Sequence, residues 1–341
     1  MQIVLADDGL PFDGLTPQER PLGGAESAFV ALAEALAAAG DEVTAYARDA
    51  RTLEHGDVRW RAHGATLPER ADLYIANRSP RLVGAHIRAK RRVFWLHNPA
   101  GFLAKPRYLW PILRYRPTLV MAGPSHAASA PAWIPAQRAI IPLGVEPAFL
   151  STPRAAGAPA PRAVFTSNPT RGLAALLVVW REAIRPRVPN AELHIFSGPQ
   201  VYGATGSRAA GMRAALADAE ANAAHGVVIR TPVTKAVLAR ELAQARALLY
   251  LGDPGETFCL AVAEAQAMGV PAVVRPVGSV GERVVHGETG YVELDPADFA
   301  ERAARLLTDD DLWTRQSANA LARRDALSWP KSAALFRALA R

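Results

Sequence analysis

Two carboxylates eight positions apart, Glu256 and Glu264, have the spacing in this chain that most directly implies chemistry. Glu256 follows the breaker run Gly252, Pro254 and Gly255, and Glu264 sits in an apolar stretch that stops at Gly269. Phe258 to Met268 reads as a helix with Thr257 as its N-cap. The two acids then stand about two turns apart, about 12 Å at ~1.5 Å per residue. Between them is a helix start whose free N–H groups and dipole suit an anion. A ligand with a diphosphate in its middle and hydroxyls at both ends fits that spacing, with a sugar on one acid and a ribose on the other. That describes a sugar nucleotide.

The elements that hold these residues are legible on either side. Leu248 to Leu251 is a short apolar run of the kind a buried parallel strand shows, and Val270 to Val274 is the next. In the first half, Gln2 to Ala6 reads as a strand, Gly23-Gly24-Ala25-Glu26 opens a long helix closed by Gly40, and Asp41 to Ala47 is strand again. The glycine pair can bring backbone close to a phosphate or an acceptor. It is not a Gly-x-Gly-x-x-Gly fingerprint, and no acidic residue follows where a dinucleotide site needs one, which disfavours NAD. Asp72 to Ala76 and Arg92 to Leu96 are further strands. The second runs into His97, and parallel strands present ligand groups at their C-terminal ends.

Glu-x7-Glu within Gly-Glu-Thr-Phe-Cys-Leu-Ala-Val-Ala-Glu-Ala-Gln-Ala-Met-Gly-Val-Pro-Ala-Val, with His-Gly-Glu-Thr-Gly-Tyr downstream, resembles the donor-site motif of retaining glycosyltransferases of the GT-B fold, family 4 type (glycosyl transferases group 1). The resemblance implies that Glu256 contacts the donor sugar and Glu264 the ribose. Backbone at Thr257, Phe258, Cys259 and Leu260 would hold the diphosphate. It makes Arg171, in Ser-Asn168-Pro-Thr-Arg-Gly, the phosphate cation, with Asn168 beside it, and sets the loop at Val233 against the base. Gly23 and Gly24 would reach the donor phosphate across a cleft, and His97 would be catalytic at the acceptor edge with Glu256 and Arg171. Ile141-Pro142-Leu143-Gly144-Val145-Glu146 resembles the signature that ends the first domain, with Glu146 in place of the usual Asp. Many relatives carry an arginine five residues before Arg171, where this chain has Thr166. The phosphate clamp is then one charge short, or its second charge lies elsewhere, Lys235 being one candidate.

Strand and helix alternate in two blocks, and Ser151 to Arg162 is rich in proline and glycine. The expected fold is α/β: GT-B, two Rossmann-like doubly wound domains facing across a cleft. Residues 1–150 would take the acceptor, 151–162 would be a linker, and 163–328 would bind the nucleotide sugar. A helix over 329–341 would return to the first domain. The 341 residues carry a net charge of +7, which favours anionic partners. No nucleic-acid module or basic-aromatic nucleic-acid signature is present, so nucleic acid is not expected as a partner. The single cysteine, Cys259, excludes an internal disulfide and a cysteine metal cluster, and reads as a small apolar helix residue. No apolar run approaches the ~18 residues that span a bilayer, and the first residues lack a signal pattern, so the expected location is cytoplasmic. The tract 78–116 interleaves ten basic residues with Phe102, Tyr108, Trp110 and Tyr115. It offers either a peripheral contact with the anionic inner membrane face or a solvated basic surface.

The activity so implied is metal-independent transfer of a hexose, with retention, from a UDP- or GDP-sugar to a glycan or lipid-linked acceptor in surface polysaccharide synthesis. The only Asp-x-Asp, within Asp309-Asp310-Asp311, reads as a helix start and not as a metal site. The alternatives are a GT-B sugar-nucleotide epimerase or hydrolase, and a nucleotide-sugar-binding protein without turnover.

Overall fold

The computed structural model describes residues 1–341. The chain divides into two compact units, one of 1–19, 23–144 and 328–341, the other of 20–22 and 145–327. The division thus falls at Gly144, and the Pro-rich stretch 151–162 is counted with the second unit.

The first unit is built on strands β1 (Gln2–Ala6), β2 (Glu42–Ala47), β3 (Leu53–His55), β4 (Val58–Ala62), β5 (Arg70–Asn77), β6 (Arg88–Trp95), β7 (Thr118–Met121) and β8 (Arg138–Ile140). Their order is β3-β4-β2-β1-β5-β6-β7-β8. Every pair is parallel except β3 with β4. Helices on both faces bury the strands, which is why Ile3, Leu5, Leu73, Ile75, Phe94 and Trp95 are sealed from solvent. The C-terminal helix Trp329–Ala338 belongs to this unit because its aromatic face has a partner here. Phe336 meets Trp95 edge-on at 5.3 Å, and Ser332 Oγ donates to the Pro142 carbonyl at 2.7 Å. Gly144 has no room for a side chain, since a Cβ would stand 2.5 Å from the Trp329 backbone nitrogen.

The second unit holds β9 (Arg162–Phe165), β10 (Glu192–Phe196), β11 (Val227–Arg230), β12 (Ala247–Tyr250), β13 (Ala272–Val274) and β14 (Gly290–Val292). The order is β11-β10-β9-β12-β13-β14, all parallel. Each sheet is doubly wound, as expected. The order reverses at β1/β5 in the first sheet and at β9/β12 in the second, and open α/β sheets bind ligands beyond the strand ends at such points. Asp309 caps the helix Asp310–Leu321 by accepting from the Leu312 N–H at 2.9 Å, so the acidic run is a helix start.

Candidate functional site

The switch point of the second sheet brings two loops together. The loop leaving β9 carries Asn168 and Arg171, and the loop leaving β12 carries Glu256. Asn168 shapes the first loop: its Oδ1 accepts from the Thr170 N–H at 2.9 Å, and its carbonyl accepts from the Arg171 N–H at 2.9 Å. Gly172 follows with φ +80°, and a Cβ there would press on the Gly252 carbonyl at 3.0 Å. Glycine therefore lets the two loops touch. In the second loop, the Asp253 carboxylate accepts from the Gly255 N–H at 2.8 Å and its carbonyl from the Glu256 N–H at 3.0 Å. The result is that Arg171 Nη1 lies 2.7 Å from Glu256 Oε1, with the Glu256 side chain only 7% exposed.

Tyr250, at the end of β12, donates its hydroxyl to the same carboxylate. Nothing in the apolar strand Ala247–Tyr250 marks its tyrosine as polar in use, so the sequence alone places Tyr250 in the core. Burial, with the nearby Glu256 charge, holds its phenol protonated far above the ordinary value. Burial also disfavours the Arg171 charge, but Glu256 outweighs it and keeps the guanidinium above its usual range. The first acid is thus fixed by a cation and a phenol.

The helix after Glu256 differs from expectation. It spans Leu260–Ala267, and the residue ahead of it is Cys259 at φ 67°, not Thr257 as an N-cap. Phe258 is 2% exposed and Thr257 is buried, so core packing holds these residues in the approach to the helix. Cys259 is accordingly no ordinary helix residue. A side chain at positive φ costs ~1–2 kcal/mol, and more for a β-branched one. Cys259→Val is therefore expected to destabilise the second unit by about 2 kcal/mol, and Cys259→Gly to be tolerated. Denaturant unfolding of both variants checks this, and equal midpoints would refute it.

Glu264 is 2% exposed and takes a hydrogen bond from Lys235 Nζ. Lys235 also lies 5.7 Å from the Phe149 ring centroid. It is therefore engaged at the second acid. Burial raises the Glu264 carboxyl while Lys235 opposes that shift. Glu146 is the third member of this cluster. Burial and the Glu264 charge push it up to about 7, against the pull of Lys235. Val233 is half-buried two residues before Lys235.

Gly23, Gly24 and His97 lie in the first unit. Gly23 is the N-cap of the helix Gly24–Ala38. His97 follows β6 and packs on Trp95 at 4.6 Å. Asn77 Nδ2 donates to Asp7 Oδ2 at 2.7 Å, so Asn77 Oδ1 faces His97 Nε2 at 2.8 Å, and that nitrogen must carry the proton. Burial and the Arg78 and His126 charges push His97 down to about 3, so it is neutral at physiological pH. Arg78 bridges Asp7 and Glu26. Arg92 donates to the carbonyls of Val83 and Ile87. These two members of the basic tract are structural, which narrows its solvated part.

Residues 160–309 match the family model described as glycosyl transferases group 1. A D-inositol 3-phosphate glycosyltransferase of Nocardioides sp. is 36% identical over 112 residues, which is 32% of this chain and 24% of that protein. The chain thus spans about a quarter of the length of such a relative. The sucrose-phosphate synthase structure from Thermosynechococcus elongatus superposes with a TM-score of 0.75 at 18% identity, covering 99% of this chain and 98% of the other. An E. coli structure described as trehalose-6-phosphate bound with UDP-2-fluoro glucose gives 0.71 at 11% identity over 100% and 99%.

Proposed function

We propose that this chain, whose residues 160–309 match the group 1 glycosyltransferase model and whose fold is that of GT-B enzymes, is a family 4 type glycosyltransferase that moves a hexose, with retention, from a UDP- or GDP-sugar to a glycan or lipid-linked acceptor. One observation carries the reading. Two buried acids, Glu256 and Glu264, bracket the start of the helix Leu260–Ala267 at the switch point of the second sheet, and Arg171 reaches the first of them at 2.7 Å. In this reading Glu256 and Glu264 hold sugar and ribose, and the backbone from Thr257 to Leu260 receives the diphosphate. Arg171 and those N–H groups meet the charge on the leaving phosphate, so no metal is required. His97, neutral with Nε2–H fixed by Asn77, serves the acceptor.

Purified protein incubated with UDP- and GDP-sugars and a screen of glycan and lipid acceptors is expected to release nucleoside diphosphate, with retained anomeric configuration in the product. Binding without release under any acceptor points to a sugar-nucleotide-binding protein, a reading the uncharged Thr166 favours. Conversion without acceptor points to a hydrolase or epimerase.

The acceptor reading includes a lipid surface. The helix Pro106–Tyr115 turns Trp110, 69% exposed, and Leu113, 40% exposed, outward beside Arg107 and Arg114. No helix is long and apolar enough to cross a membrane. An apolar edge flanked by cations suits the interface of an anionic bilayer, at ~1 kcal/mol per basic residue. Reversing Arg107 and Arg114 to Glu is expected to weaken sedimentation with phosphatidylglycerol vesicles at least about tenfold. Equal sedimentation of variant and wild type removes the membrane contact.

A further inference from the structure

A diphosphate held at the start of the helix Leu260–Ala267 would gain from a second cation beside Arg171, which is already engaged by Glu256. Thr166, where a second cation would stand on the β9 loop, is uncharged, and Lys235 is committed to Glu264. The loop after β13 offers another. Its turn Val280–Arg283 is fastened to the Glu256 loop, for the Ser279 N–H donates to the Glu256 carbonyl at 3.0 Å. The Arg283 guanidinium lies 4.4 Å from the centroid of the Phe258 ring. Its Nη2 donates to Glu282 Oε2 at 3.2 Å, and its buried Nε has no partner. The Cys259 thiol, at the head of the helix, feels the positive charge of both Arg171 and Arg283.

Resting on the donor reading above, we infer that Arg283 is the second cation of the donor diphosphate site, held over Phe258 and paired across Cys259 with Arg171. A guanidinium stacked on a ring keeps its edge available for bidentate contact with phosphate oxygens. It is costly to leave such a charge with an unmet N–H in a buried setting, and an anion at the helix start would meet that need. Arg275, at the end of β13, is the natural comparison. It too has a buried Nε without a partner, but its backbone N–H faces the Tyr250 carbonyl and it makes no stacking contact with Phe258.

The test measures binding of UDP and GDP, and of uridine and guanosine, to wild type, Arg283→Met and Arg275→Gln at low and high salt. Methionine keeps the packing on Phe258 and removes the charge. The expected result for Arg283→Met is a loss of about tenfold or more for the diphosphate that wild type binds. Nucleoside binding is unchanged, and the salt dependence is shallower than that of wild type. Arg275→Gln leaves all three near wild type. Arg283→Lys keeps the charge, folds with the same stem on Phe258, and recovers part of the loss. Diphosphate affinity unchanged in folded Arg283→Met, or lost in equal measure for the nucleoside, overturns the inference, as does a larger effect from Arg275→Gln. A wild type that binds neither UDP nor GDP removes the donor reading itself, a different failure from one confined to Arg283.

Discussion

Glu256→Gln is expected to lower transfer by about 10²–10³-fold while the protein stays folded, the scale seen when one preorganised electrostatic contact is lost from an active site. The choice of glutamine follows from the geometry. Glu256 is 7% exposed and holds both Arg171 Nη1, at 2.7 Å, and the Tyr250 hydroxyl. Alanine would leave the half-exposed Arg171 guanidinium and the buried Tyr250 phenol unpaired, at a cost of ~1–3 kcal/mol. Loss of activity would then report unfolding as much as chemistry. Glutamine can still accept from Tyr250 and removes only the charge. Arg171→Met should lose turnover on a similar scale. Because the two side chains form one pair, the double variant is expected to lose much less than the product of the single effects. Turnover within threefold of wild type in Glu256→Gln, with an unchanged melting temperature, would take Glu256 out of the reaction.

That pair also shows where sequence reading stops. The βα unit around Glu256 was legible because an apolar strand, a Gly/Pro turn and an apolar helix follow one another within thirty or so residues, each with its own local signal. The two doubly wound sheets were legible for the same reason. Strands β3 and β4 were not, because Leu53-Glu54-His55 and Val58-Arg59-Trp60-Arg61 belong to an edge, where one face is solvated and the apolar run is broken. The helix Pro106–Tyr115 was hidden by Pro106 and Pro111, which read as breakers although the first sits at its start. Contacts between distant positions left no local mark. Lys235 meets Glu264 across 29 positions, and Asn77 meets Asp7 across 70. The helix starts two residues later than its local signals imply, because burial of Phe258, not local capping chemistry, decides where the backbone turns.

The second large effect concerns Glu146, and it is a stability effect with a definite sign. Burial first, and the Glu264 charge second, raise its carboxyl from 4.5 to about 7, with Lys235 opposing. In the unfolded chain the same group ionises near its ordinary value. Between those two values the folded protein holds a proton that the unfolded chain has released. Stability from this group therefore falls as pH rises through that window, and the full cost is present above about 7. A shift of that size corresponds to an upper bound of about 3 kcal/mol. Glu146→Gln keeps the shape and cannot ionise. It should raise the unfolding free energy at pH 8 by about 2–3 kcal/mol, or about 5–10 °C in melting temperature for a unit of this size, and change little at pH 4. The same substitution bears on the donor. Ionising Glu146 adds one negative charge to the cluster it forms with Glu264 and Lys235. An anionic nucleotide should thus bind wild type more weakly as pH rises from 6 to 8, and Glu146→Gln should flatten that dependence. Parallel melting curves of the two proteins across pH 4–8, with no divergence above neutrality, would show that Glu146 ionises in the folded protein as freely as it does in water.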